Sequence, residues 1–162
     1  MDKNDLEHAL AERIKESGAK FNVGVCVHVP HKMRLEQSGY DDIWLQRHIG
    51  VYLNKLDRRI HKAAHKNRGL RIKRVVALEH TVGVGWHSHM CVETPQNMTD
   101  DELIEEMGSV WLRYVGKWQN SGFSNDRLFW AEQIEEGYSQ YTTKNGKNIL
   151  NGNMDWLNTY IG

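Results

Sequence analysis

The chain has 162 residues, 40% of them hydrophobic, which suits one domain with a single sizeable core spanning residues 1–162. Two prolines and the lack of any apolar stretch approaching about eighteen residues exclude low-complexity and membrane-spanning classes. The 21 basic and 21 acidic residues cancel, which speaks against nucleic-acid binding unless the charge is unevenly spread.

It is unevenly spread. Between Arg47 and Arg74 stand ten Lys or Arg residues and one acid, Asp57, a local charge of plus nine. Such a run fits either a solvated helix face or a nucleic-acid contact. The polar start, Met1-Asp2-Lys3-Asn4-Asp5, carries no apolar leader, so an intracellular protein is expected. Cys26 and Cys91 fall in different alternating segments and read as reduced strand residues rather than a disulfide.

In chain order, Leu6, Ala9, Leu10, Arg13 and Ile14 keep helical spacing and predict a helix over 5–17, stopped at Ser17-Gly18. From Phe21 to Val29 every odd residue is large and apolar, whereas Asn22, Gly24, Cys26 and His28 hold the even positions. That is the period of a half-buried strand, ended by Pro30. Asp41 can cap one long helix with an apolar stripe through Trp44, His48, Tyr52, Leu56 and Ala63, ending at Asn67-Arg68-Gly69. A strand over about 70–80 puts Ile72, Val76 and Leu78 on one face and Arg71, Lys73, Ala77 and Glu79 on the other. Thr81-Val-Gly-Val-Gly85 supplies a turn. The next strand, 86–94, separates Trp86, Ser88, Met90 and Val92 from His87, His89, Cys91 and Glu93. Thr99-Asp-Asp-Glu102 is a capping box opening a helix through Tyr114. A fourth strand over 127–134 and a short helix over 135–144 follow. The order β-α-β-β-α-β predicts an α+β, ferredoxin-like split βαβ fold: a central antiparallel sheet with helices mainly on one face and the opposite face free.

His87 and His89 leave the same side of one strand about 6–7 Å apart, near enough to share an ion. If the turn centres on Gly83, Glu79 lies directly across from His87, about 5 Å away between β-carbons, and supplies the third ligand. A one-residue change of register would present His80 instead. Two imidazoles and a carboxylate leave open positions for water and a phosphate oxygen, as a catalytic Mn²⁺ or Mg²⁺ requires. Near the end, Tyr141 and Lys144 sit at i and i+3, so on a helix the ammonium would favour the phenolate. Tyr138 points substantially away from Lys144 and reads as packing or a DNA contact.

Trp86-His-Ser-His-Met-Cys-Val-Glu-Thr-Pro95 resembles the His-x-His strand of HUH endonucleases, and Tyr141-Thr-Thr-Lys-Asn-Gly146 is similar to the Tyr-x-x-Lys motif of rolling-circle replication initiators (Reps). Both motifs occur in the family's order, and the resemblance spans roughly residues 20–146. Ser88 departs from it, standing where the family usually carries a bulky hydrophobic residue. The resemblance implies an enzyme that nicks and rejoins single-stranded DNA at a replication origin. Tyr141 would be the nucleophile, Lys144 its helper, and Glu79, His87 and His89 the ligands of a divalent metal. Arg71, Lys73, Arg74, His28 and Tyr138 are candidate DNA contacts. It further implies a bacterial cytoplasm or a eukaryotic nucleus as the setting. With no phosphate-binding Gly-x-x-x-x-Gly-Lys-Ser/Thr loop, a helicase would act in trans or sit on a longer parent chain. A single-tyrosine transposase with the same site is an alternative. So is a non-catalytic module that stacks bases on its sheet, although strands one and three offer no aromatic residue for it.

Overall fold

The computed structural model describes residues 3–36, 39–118, 128–134 and 153–162. Four antiparallel strands form its centre in the order β4-β1-β3-β2: β1 is Val23–His28, β2 Arg74–Thr81, β3 Gly85–Val92 and β4 Phe129–Gln133. A two-residue strand, β5 (Asn153–Met154), adds to the outer edge of β2. The chain is thus an α+β protein in which β1 and β2 run the same way on either side of β3.

The alternation of the strands decides where the main core lies. Val23, Val25, Val27, Ile72, Val76, Leu78, Met90 and Val92 join one buried cluster with residues of α3 (Asp42–His61) and α5 (Asp100–Val115). From the helices come Leu45, Ile49, Tyr52, Leu53 and Leu56, and Leu103, Met107 and Trp111. Each such side chain, taken fully out of water, contributes about 1.5–3 kcal/mol before the entropy of ordering it. α5 starts at the capping box anticipated from the sequence, with the Thr99 hydroxyl accepting from the Glu102 N–H and the Glu102 carboxylate accepting from the Thr99 N–H. Gly108 lets that helix approach the sheet, since a β-carbon there would sit 3.1 Å from the Phe129 ring.

Several expectations need correction. The helix predicted from Asp41 to Asn67 is two helices, α3 and α4 (Ala63–Arg68), broken at Lys62, whose φ is +48°. Beyond the break, the His65 Nδ1 donates to the Leu70 carbonyl at 2.9 Å, while its Nε2 lies 3.1 Å from Asn54 Oδ1 on α3. β2 begins at Arg74 rather than near residue 70, because the chain first turns past Asp57, whose carboxylate accepts from the Ile72 N–H. A short helix, α2 (His31–Glu36), follows Pro30, where sequence patterning indicates only the end of a strand. Nor is the second sheet face free along its length. Ile14 of α1 (Lys3–Ser17) and Ile161 cover Val75, Ala77 and Cys91. The glutamate Glu93 ties α1 down, accepting from the Lys20 N–H at 2.8 Å and lying 3.8 Å from the Lys73 ammonium. The helix expected over 135–144 lies outside the described residues.

Candidate metal centre

Beyond Val75, Ala77 and Cys91 on that second face, the β2–β3 hairpin closes through the three residues Val82–Val84, and the Val84 N–H donates to the Thr81 carbonyl at 3.1 Å. The resulting register sets Glu79 opposite His87 and His80 opposite Trp86. Glu79 therefore shares the histidines' face, whereas His80 is exposed and its ring stands against Trp86. One Glu79 carboxylate oxygen is 3.5 Å from His87 Nε2 and 3.2 Å from His89 Nε2. The ligand atoms of all three residues lie within 4.8 Å of one another, so the cluster could hold a metal ion.

The surroundings prepare it for that. The His87 Nδ1–H donates to the Gly85 carbonyl at 3.0 Å, which fixes the tautomer and leaves Nε2 a lone pair facing Glu79. The His87 side chain is 7% exposed, whereas those of Glu79 and His89 are 29% and 28% exposed, giving the cluster one buried anchor and an open side. His28, on β1, stacks on His87 with ring centroids 5.0 Å apart and planes 12° from parallel. Burial, then the proximity of His87, His89 and Arg34, lowers the His28 pKa to about 4, so its ring is neutral at pH 7. The Cys26 Sγ lies 3.2 Å from His28 Nε2. Burial, reinforced by the charge of Glu79, pushes that thiol up to about 12, so it remains protonated.

No protein-family model, curated protein or solved structure matches this chain. The site must be read from its own chemistry.

Of the candidate site residues, Glu79, His87, His89 and His28 come together. Arg71, Lys73 and Arg74 do not, since Arg74 lies five residues from Glu79 along β2, about 16 Å at strand rise. Arg74 is also a correction: only 4% exposed, its Nη1 donates to both Asp57 oxygens at 2.8 Å and its Nε to the Asn158 carbonyl at 3.0 Å. That guanidinium is committed to the interior and does not face a ligand. Lys73 donates to the Ser17 carbonyl at 3.3 Å, and exposed Arg71 stands over the Tyr160 ring. Ser88 is buried and donates to the Ala77 carbonyl, away from the ion site, which answers the departure noted in the motif. Tyr138, Tyr141 and Lys144 lie outside the described residues.

Sequence patterning places Cys26 on the histidine face but misses two further residues near the site. Trp130 of β4 stands opposite Cys26 in register and is 48% exposed. Dividing the short β4 into two faces is the signal that would have revealed this aromatic residue. Arg34 has no periodic signal at all. No helix among the described residues is long and apolar enough to cross a membrane.

Proposed function

We propose that this chain is a metal-dependent HUH endonuclease of the rolling-circle initiator type, nicking and rejoining single-stranded DNA. The observation that carries the reading is the convergence of Glu79, His87 and His89 within 4.8 Å on one hairpin. Its support is the strand order β4-β1-β3-β2, that of a ferredoxin-like split βαβ sheet, together with the Tyr141-x-x-Lys144 motif downstream.

Two imidazole nitrogens and one carboxylate suit Mn²⁺, and Mg²⁺ less well because of the nitrogens. When bound, the ion supplies Lewis acidity at the scissile phosphate. The Gly85 carbonyl orients His87, and the neutral His28 ring walls the site without adding charge. The Tyr141 oxygen, having lost its proton, attacks phosphorus as the P–O3′ bond breaks. The departing 3′ oxygen takes up a proton, leaving a free 3′-hydroxyl and a 5′-phosphotyrosine link. Lys144 offsets charge on the phosphoryl oxygens. Reversal by a 3′-hydroxyl rejoins the strand without a nucleotide cofactor, because the phosphotyrosine link conserves the ester.

The test is incubation with single-stranded origin oligonucleotides and Mn²⁺, run on a denaturing gel. A shifted protein–DNA adduct formed by the wild type and lost in Tyr141→Phe is expected. Loss in Tyr138→Phe instead would move the nucleophile while keeping the class. Trp130 favours one second reading, a non-catalytic single-strand-binding module that stacks a base on β4. Tight oligonucleotide binding with no adduct in any metal would select it.

A further inference from the structure

We infer that Arg34 forms an anion subsite beside the metal centre, its Nη1 taking one oxygen of a phosphate group that also faces Glu79, His87 and His89. The identification of that phosphate as a DNA phosphodiester rests on the proposed function; the subsite itself does not.

Arg34 follows directly from the turn after β1. Its Nε and Nη2 both donate to the Val29 carbonyl, at 3.2 and 3.0 Å, which fixes the plane of the guanidinium next to His28. On its other side, Cζ stands 5.8 Å from the centre of the Tyr40 ring. The Tyr40 hydroxyl donates to the Trp86 carbonyl at 2.8 Å, one residue before His87. Arg34 is thus held by the residue after one site histidine and lies against a tyrosine bonded to the residue before another.

The remaining nitrogen, Nη1, lies over Gly85. A β-carbon built on Gly85 would be 2.9 Å from Nη1 and 3.1 Å from the Tyr40 hydroxyl. Gly85 also has φ of +82°, so two independent constraints keep a side chain out of this notch. The same glycine's carbonyl holds His87 Nδ1, which places the guanidinium one backbone unit from a metal ligand. Among the described residues Arg34 has no carboxylate partner. A fixed, half-buried cation beside a centre that takes a divalent ion would be electrostatically unfavourable without an anion to bridge the two positive charges. With Nε and Nη2 held by the Val29 carbonyl, Nη1 is left as a fixed, permanently charged donor for a phosphate oxygen.

The experiment titrates Mn²⁺-loaded protein with inorganic phosphate, reading phosphorus-31 relaxation, and measures Mn²⁺ affinity separately by electron paramagnetic resonance. Saturable relaxation is expected for the wild type. Arg34→Gln should weaken phosphate affinity by about tenfold or more while Mn²⁺ affinity stays within about twofold. Arg34→Lys keeps the charge without the planar group anchored to Val29 and should fall between them, which retains a test if Arg34→Gln folds poorly. Wild type without phosphorus relaxation enhancement, or variants with undiminished phosphate affinity, overturns the subsite. If the wild type forms the Tyr141 adduct and Arg34→Gln forms it with unchanged KM and rate, the subsite is refuted and the endonuclease stands. Arg34-dependent phosphate binding with no adduct supports the subsite and refutes the endonuclease.

Discussion

Replacing Arg74 by Met separates an interior role from a DNA contact. In the native protein the guanidinium reaches both Asp57 oxygens at 2.8 Å, the Ile72 carbonyl at 3.1 Å and the Asn158 carbonyl at 3.0 Å. Asp57 is 1% exposed. Among the described residues, methionine leaves that carboxylate with the Ile72 N–H, at 2.9 Å, as its hydrogen-bond donor. Breaking one side of such a buried pair costs about 3–5 kcal/mol. At about 2–4 °C per kcal/mol for a chain of this size, the melting temperature should fall by roughly 6–20 °C. The assay is urea and thermal denaturation of the wild type, Arg74→Met, Asp57→Leu and the double variant. Because the double variant leaves no orphaned charge, it should recover most of the loss. A folded Arg74→Met within about 1 kcal/mol of the wild type, with markedly weaker oligonucleotide binding, would refute the interior assignment and restore the DNA contact.

Two further outcomes follow from the site and its surroundings. Glu79→Gln preserves the hairpin but removes the anionic ligand, and should lower Mn²⁺ affinity by more than about 100-fold in a calorimetric titration, exceeding the effect of losing an outer-shell partner. An unchanged affinity would move the third ligand elsewhere. Burial is the leading cause lowering the pKa of His48 and His61, so the unfolded chain protonates these rings first as pH falls below their usual 6.5. Their contribution to stability is therefore fully present above about pH 6.5 and is lost as pH falls toward the folded values; denaturant titrations at pH 7.5 and 5.5 should show the lower midpoint at 5.5.

What can be read from sequence is whatever depends on neighbours along the chain. Period-two alternation narrows the third ligand to Glu79 or His80, of which the hairpin register selects Glu79, and the Thr99 box locates the start of α5. Interactions between distant segments are not legible. Arg74 occupies a core-facing position on β2, yet its charge suggests a surface role because its partner Asp57 is seventeen residues away on α3. Lys62 sits among good helix formers, so nothing in its neighbours announces the break there. Arg34 becomes recognisable only when α2 is docked against Gly85 and Tyr40.

All three candidate ligands belong to one hairpin, separated by no more than ten positions of sequence. Gathering them demands closure of a short loop rather than the meeting of remote segments, and that entropic demand grows only with loop length. Residual chelation by the denatured chain is therefore expected, and it subtracts from the stabilisation that a given concentration of ion confers on the native form. Such self-containment also makes the hairpin a portable unit, whose affinity can be measured in a constrained peptide apart from the rest of the sheet.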